Sequence, residues 1–161
     1  MSVVIDTNVA VVANGSHVPA SVQCVTACID ALLAAQGGIV LVDDTYQIFD
    51  EYRRHLSHSG QPGVGDAFFR WLWNNQANPA SCRQVPITPS DRGGRVFEEF
   101  PDEPALAGFD REDRKFVAVA LASGEYPWIL NATDSDWRDF SKALKTHGIR
   151  TRFLCPDLLI D

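Results

Sequence analysis

The sequence predicts an α/β protein, a three-layer α/β/α sandwich with a central, mostly parallel sheet. Short runs of β-branched and apolar residues, such as 2–6 and 39–42, lack polar alternation and therefore predict strands that are buried on both faces. Longer segments rich in Ala, Leu and Val lie between such runs and end at glycines. Strands that alternate with helices are typical of a parallel sheet covered by helices on both sides.

The first part of the chain contains two strand–helix units. Strand 2–6 (SVVID) precedes a helix over 19–36, which ends at Gly37-Gly38. Strand 39–42 (IVLV) leads into a second helix that runs to about Ser57. The side chains that can cap this second helix are those of Asp43, Asp44 and Thr45.

The middle of the chain is less regular. Residues 57–65 (SHSGQPGVG) form a loop, and 66–76 are predicted to be helical. The bulky residues of that helix are Phe68, Phe69, Trp71, Leu72 and Trp73. They are most simply part of the core, and a base-stacking platform is the alternative. A third strand is expected at 83–88, followed by a Pro/Gly-rich region over 89–109 with a short helix near 96–100.

In the last part of the chain, predicted helices again alternate with predicted strands. Helix 110–124 opens with an aspartate and closes with a glycine, and strand 127–131 (PWILN) is apolar. Helix 135–147 ends at Gly148, and 150–154 (RTRFL) is the last predicted strand. There is no internal repeat or interdomain linker, so residues 1–161 are expected to form a single domain.

Composition limits the possible environments. A hydrophobic fraction of 45% and a charged fraction of 22% are ordinary for a globular protein, and no segment is long and apolar enough to span a membrane. The first residues, MSVVIDTN, do not resemble a signal peptide, so a cytoplasmic location is expected. The four cysteines, which form no C-x-x-C pair, are therefore predicted to be free thiols rather than zinc ligands: Cys24, Cys28, Cys82 and Cys155.

The net charge of −7 argues against tight, non-specific binding to nucleic acid. Bound cations would nevertheless reverse the local sign of an acidic site. Basic residues form three clusters, which can equally be ordinary solvated faces. The clusters are Arg53-Arg54-His55; Arg111, Arg114 and Lys115; and Lys142, Lys145, His147, Arg150 and Arg152.

Four acidic residues stand where sites form in such sheets. Asp6 ends the first strand and Asp134 follows the strand at 127–131, while Asp113 and Glu51 lie in flanking helices. The carboxyl ends of neighbouring parallel strands meet at one crevice, so these side chains are expected to converge. Clustered carboxylates repel one another unless a hard cation such as Mg²⁺ or Mn²⁺ lies between them, and phosphodiester cleavage is a common reaction of such cations.

Each acid also has a purely structural interpretation. Asp6 can cap the turn that starts at Thr7-Asn8, and Asp113 can complete a capping box with Asp110. Either Asp134 or Asp136 must cap the helix that starts at Ser135. Glu51 can be a solvated residue beside Arg53 and Arg54. These interpretations would have to hold together at four positions, which favours the metal site.

The motifs resemble those of the PIN-domain family of metal-dependent ribonucleases, whose bacterial members include toxins of toxin–antitoxin modules. VVIDTNV (3–9) resembles the opening strand and first acid, and Glu51 matches the second acid. The segment 113–120 (DRKFVAVA) is similar to the helix of the third acid, and 132–137 (ATDSDW) to the final motif. The resemblance spans residues 3–154. Thr133 directly precedes the acid, one place later than the family spacing, which leaves Asp134 and Asp136 unranked.

The resemblance implies a nuclease that is often a homodimer. Asp6, Glu51, Asp113 and Asp134, with Asp136 as an alternative ligand, would hold Mg²⁺ or Mn²⁺ and activate a water toward an RNA phosphodiester. Asn8 and Thr133 would support the ligands from a second layer. An antitoxin protein would be the partner if the chain is a toxin. No membrane association is implied.

Other functions are less consistent with the motifs. A haloacid-dehalogenase-like phosphatase needs a second acid two residues after Asp6, where this chain has Asn8. A dinucleotide-binding enzyme needs a glycine-rich turn that is missing after the first strand. The main alternative is a catalytically inactive PIN-like module that binds nucleic acid or acts as a scaffold.

Overall fold

The computed structural model describes residues 1–16 and 19–156. Its main sheet contains five parallel strands in the order β3-β2-β1-β6-β7, so the predicted parallel sheet is confirmed. These strands are β1 (Ser2–Ile5), β2 (Ile39–Asp43), β3 (Cys82–Val85), β6 (Trp128–Asn131) and β7 (Arg150–Phe153). Two short strands, β4 (Pro89–Ser90) and β5 (Val96–Phe97), form a separate antiparallel pair.

The sheet reverses its order beside β1. Strands β2 and β3 extend to one side of β1, whereas β6 and β7 extend to the other. Ile5 of β1 lies opposite Leu130 of β6, so both strands end at the same level. The two strands are therefore neighbours, and a switch point, where ligands bind in such sheets, lies between their carboxyl ends.

Helices cover the sheet, which confirms the predicted three-layer arrangement. The helices are α1 (Thr7–Ala13), α2 (Val22–Gln36), α3 (Gln47–His55), α4 (Val64–Asn74), α5 (Arg114–Ser123), α6 (Ser135–Asp139) and α7 (Ser141–Thr146). Helices α1, α2 and α4 contact one another, and α5 packs on β1, β2 and β6. Residues 116–120 of α5 (FVAVA) are buried, because small and apolar side chains there fit against the sheet.

Helix α3 is capped by the first of the three predicted candidates. The Asp43 carboxylate accepts hydrogen bonds from the backbone N–H groups of Gln47 (2.9 Å) and Ile48 (2.8 Å). Tyr46 precedes the helix with a φ of 65° and makes no side-chain cap. Asp43 therefore satisfies first-turn donors of the helix, and the helix start is fixed to the end of β2.

The aromatic residues of α4 belong mainly to the core, as predicted. Phe68 and Phe69 are buried and pack edge-on against Tyr52 of α3, with ring centroids 6.5 and 5.9 Å away. Trp73 is the most accessible of the set, with 36% of its surface exposed, and the Arg53 guanidinium lies over its ring at 5.2 Å.

Three local predictions require correction. Residues 96–100 do not form a helix, because Val96 and Phe97 pair with Pro89–Ser90 across a turn in which Gly93 and Gly94 adopt positive φ angles of 62° and 69°. The helix predicted over 135–147 is interrupted at Phe140, which divides it into α6 and α7. Helix α1 was not predicted, because its seven residues continue the apolar run of β1.

The prediction of four free thiols is wrong for two of them. Cys24 in α2 and Cys155 after β7 form a disulfide, whereas Cys28 and Cys82 are free and buried. The two bonded cysteines are 131 residues apart in the chain, so their proximity depends on α2 packing near the end of β7. Within the described residues, no helix combines the length and apolar character that a membrane span requires.

Candidate metal centre

Asp6 directly follows β1 and faces the switch point. Its backbone N–H donates to the Leu130 carbonyl at 3.0 Å, which fixes the residue between β1 and β6. One carboxylate oxygen, Oδ1, accepts from the Asn8 backbone N–H at 3.0 Å, and Oδ2 accepts from Asn131 Nδ2 at 3.3 Å. Asp6 thus caps α1, as its structural interpretation predicted, and its buried carboxylate also belongs to the site described below.

Asp134 reaches the same place from the loop after β6. Its backbone N–H donates to Asn131 Oδ1 at 3.0 Å, and its own Oδ1 accepts from the Asp136 backbone N–H at 2.9 Å. Asn131, the fully buried last residue of β6, therefore holds Asp6 with its amide nitrogen and Asp134 with its amide oxygen. Asn131 was not among the predicted site residues, although a polar residue that ends an apolar strand is a signal that could have identified it.

Asp113 comes from the helical segment before α5, and not from a strand end. It ends a 3₁₀ turn (Arg111–Asp113) immediately before α5, and it is buried. Asp110 caps this turn alone by accepting from the Glu112 N–H at 2.9 Å, so the Asp113 carboxylate is not needed for a capping box. Carboxylate oxygens of Asp113, Asp6 and Asp134 all lie within 4.8 Å of one another. Ligand atoms around a cation bound at about 2–2.5 Å are separated by about 5 Å or less.

Burial and mutual repulsion raise the pKa values of the three carboxyl groups. Burial, and then the charges of Glu51 and Asp134, raise the pKa of Asp6 to about 7. Burial is also the main reason why the pKa of Asp113 rises to about 9, with Asp6 and Asp134 as the next contributors. The pKa of Asp134 is raised in the same direction by burial, while the hydrogen bond from the Asp136 backbone N–H opposes the increase. A divalent cation would relieve this repulsion.

Trp137 of α6 places an indole N–H donor beside the site. Its side chain is fully buried, and its indole N–H has no hydrogen-bond partner among the described residues. The N–H lies close enough to Asp6 to favour the charged form of that carboxylate, although it does not meet hydrogen-bond geometry. A buried donor without a partner is costly, so its presence beside three acids fits a site that receives an oxygen-bearing ligand.

Glu51 is not part of the three-acid group. One of its oxygens, Oε1, accepts from Lys115 Nζ at 2.7 Å, and the other accepts from the Thr7 hydroxyl. Both Glu51 oxygens thus accept hydrogen bonds outside the group of Asp6, Asp113 and Asp134, and the role of Glu51 as a metal ligand stays a prediction. The interpretation as a solvated residue is wrong, since the residue is buried. Lys115, which lies 64 residues further along the chain, could not be identified as its partner from sequence spacing.

The other predicted supporting residues have specific positions. The Asp136 carboxylate accepts from the Asp110 backbone N–H at 3.0 Å, so the structure places Asp134, and not Asp136, with Asp6 and Asp113. The Asn8 side chain accepts from the Ala132 N–H at 3.0 Å, and only its backbone N–H contacts an acid. Thr133 is half-buried beside Asp134.

The predicted basic cluster of Arg111, Arg114 and Lys115 is not a continuous surface cluster, because Arg114 and Lys115 are buried. Arg114 is buried and donates to the carbonyl oxygens of Phe109 (2.9 Å), Ala107 (3.0 Å) and Gly94 (2.8 Å), so it stabilises the loops that precede α5. Exposed cations remain on α3, beside an open groove of about 530 Å³. The residues that line this groove are Gln47, Asp50, Arg53, Arg54, Glu112 and Lys115.

Comparison of the chain with protein families, curated proteins and solved structures found no match. The function must therefore be inferred from the site. Three hard oxygen donors around one point can hold a divalent cation, and a divalent cation can activate water and polarise a phosphoryl oxygen. The cysteine cluster of Cys24, Cys28 and Cys155 supplies no equivalent site, because two of its three sulfurs are bonded to each other.

Proposed function

We propose that this protein is a metal-dependent endoribonuclease that cleaves phosphodiester bonds by means of a metal-activated water. The observation that carries the proposal is the meeting of Asp6, Asp113 and Asp134 within 4.8 Å, from three separate parts of the chain. Burial and neighbouring carboxylates raise the pKa of Asp6 to about 7 and that of Asp113 to about 9, which supports the proposal because such shifts cluster at functional sites.

Each residue of the site would have a separate role. Asp6, Asp113 and Asp134 would hold Mg²⁺ or Mn²⁺, which supplies an activated water and charge stabilisation at the phosphoryl group when bound. Asn131 keeps Asp6 and Asp134 at a fixed separation, and the start of α5 holds Asp113 opposite them. The Trp137 N–H is free to donate to a phosphate oxygen or to the water.

RNA is proposed as the substrate because of the motif resemblance to PIN-domain ribonucleases at Asp6–Val9, 113–120 and 132–137. The same resemblance is the basis for proposing a toxin that forms a homodimer and is restrained by an antitoxin protein. A small basic or DNA-binding protein encoded next to this chain would support the toxin role.

A catalytically inactive binding or scaffold module is the second candidate. It is favoured by one observation: Glu51, which resembles the second acid of the family, is occupied by Lys115 and Thr7. An inactive module would not require that Asp6, Asp113 and Asp134, here called the acid trio, bind a cation. Metal binding therefore separates the two candidates before any substrate is tested.

The experiment is a Mn²⁺ titration, followed by a cleavage assay on single-stranded RNA. We expect the unsubstituted protein to bind Mn²⁺ with millimolar or tighter affinity and to cleave only in its presence, whereas Asp6→Asn loses both properties. Asp30→Asn, on the exposed face of α2, is the matched control and keeps both. Equal Mn²⁺ affinity in the unsubstituted protein and Asp6→Asn would support the scaffold instead.

A further inference from the structure

The buried ion pair between Lys115 and Glu51 borders the acid trio. The side chains are 6% and 11% exposed, and Lys115 is two residues from Asp113. The charge of Glu51 acts on both Asp6 and Asp113, so the pair is close to the trio without joining it. An ammonium group is therefore held next to the place where a cation would bind.

The ammonium has one N–H without a partner among residues 1–16 and 19–156. A lysine has three N–H bonds, and Lys115 uses two of them, toward Glu51 Oε1 and the Glu112 carbonyl oxygen. Glu51 cannot move away easily, because its second oxygen is held by Thr7. Lys115 also lines the open groove with Arg53 and Arg54, so part of its side chain faces the groove.

We propose that Lys115 is the fixed second cation of the site. In two-metal hydrolysis, a second ion about 3.5–4 Å from the first stabilises the leaving oxygen. Here Glu51 binds the Lys115 ammonium near the trio, which would hold one divalent ion. The Lys115 ammonium then contacts a non-bridging or leaving oxygen of the phosphodiester as a point charge. This inference rests on the proposed function for the identity of the substrate.

The test counts bound Mn²⁺ by electron paramagnetic resonance, without substrate. We expect one Mn²⁺ for the unsubstituted protein. Lys115→Met leaves one Glu51 oxygen without its cation, so this variant should bind a second Mn²⁺ or bind the first about tenfold more tightly, because a positive charge is lost and a negative one is no longer compensated. The exposed Lys142→Met is the matched control and should bind Mn²⁺ as the unsubstituted protein does.

The double variant Lys115→Met/Glu51→Gln removes both charges and leaves no uncompensated buried charge. We expect it to bind one Mn²⁺ with an affinity within about threefold of the unsubstituted protein, and to cleave RNA at least about 100-fold more slowly. A purely structural Lys115 would lower Mn²⁺ binding and cleavage together. This variant keeps the test decisive if Lys115→Met does not fold.

The outcomes are distinct. Two Mn²⁺ ions on the unsubstituted protein, unchanged Mn²⁺ binding in folded Lys115→Met, or full cleavage by the double variant would each overturn the role of Lys115 and leave the nuclease proposal intact. A loss of Mn²⁺ affinity in the double variant, together with a loss of cleavage, would show that the Lys115–Glu51 pair supports the metal site and does not act on the substrate, which would also overturn the role of Lys115. No Mn²⁺ binding at all by the unsubstituted protein would overturn the nuclease proposal itself.

Discussion

Asn131 at the end of β6 donates its side-chain N–H to the Asp6 carboxylate at the end of β1, at a distance of 3.3 Å. The other end of the same amide accepts from the Asp134 backbone N–H at 3.0 Å. One fully buried side chain thus sets the separation of two of the three acids across the switch point. Its substitution should affect metal affinity as well as stability.

Asn131→Ala removes both hydrogen bonds and leaves the Asp134 N–H without this partner. We expect a loss of about 1–3 kcal/mol in the free energy of unfolding, measured with urea, and a 10–100-fold loss of Mn²⁺ affinity, because outer partners orient ligands. Asn74→Ala, at the exposed end of α4, is the control and should change neither quantity. Unaltered Mn²⁺ affinity in a folded Asn131→Ala protein would show that Asn131 has only a structural role.

Asp113→Asn should abolish Mg²⁺- or Mn²⁺-dependent cleavage of single-stranded RNA while the fold is retained. The amide matches the carboxyl in size but is a much weaker ligand for a hard cation. Cleavage by a gel assay and folding by circular dichroism would be measured together, with exposed Asp30→Asn as the control. If Asp113→Asn and Asp6→Asn both cleave at the normal rate, the proposed mechanism cannot operate.

The metal-free protein should become less stable as pH rises from about 4 to about 9. Asp6 and Asp113 have pKa values raised to about 7 and about 9 in the folded state, from 3.8. The folded state therefore binds more protons than the unfolded state in this range, and each extra proton corresponds to a decrease of about 1.4 kcal/mol per pH unit. Thermal unfolding in a chelator at pH 5, 7 and 9 would measure this dependence.

The same groups predict the response to substitution and to metal. Without metal at pH 8, Asp113→Asn should raise the melting temperature by about 3 °C or more, since about 1 kcal/mol of removed repulsion has that effect in a domain of this size.

Saturating Mn²⁺ should stabilise the unsubstituted protein more at pH 8 than at pH 5, because protons compete with the cation. A melting temperature that rises with pH in the chelator would contradict the raised pKa values.

The disulfide between Cys24 and Cys155 should contribute substantially to stability. The bond closes a loop of 131 residues, for which the chain-entropy relation gives about 4–5 kcal/mol. We expect a reducing agent to lower the melting temperature of the unsubstituted protein and of Cys82→Ala, whose buried sulfur is free. Cys24→Ala should already unfold at the lower temperature and should not respond. An equal response of the two variants would show that the bond contributes nothing.

Much of the fold could be predicted because its signals are local. The apolar runs that became β1, β2 and β6 and the glycines that end α2 and α5 identify elements regardless of what they contact. The ends of these elements then placed Asp6 and Asp134 near a switch point, and Asp113 at a helix start. Residues 96–100 were harder to predict, because a two-residue strand such as β5 has too few positions to show a period.

The sequence alone determined the layer architecture and the identity of three of the acids, since both depend on residue type and spacing along the chain. Only the tertiary structure decided that Glu51 binds Lys115, that Asp134 rather than Asp136 joins Asp6, and that Cys24 bonds to Cys155. Each of these choices is a contact between distant segments or a competition for one donor. Such contacts depend on how the layers pack, which local spacing does not encode.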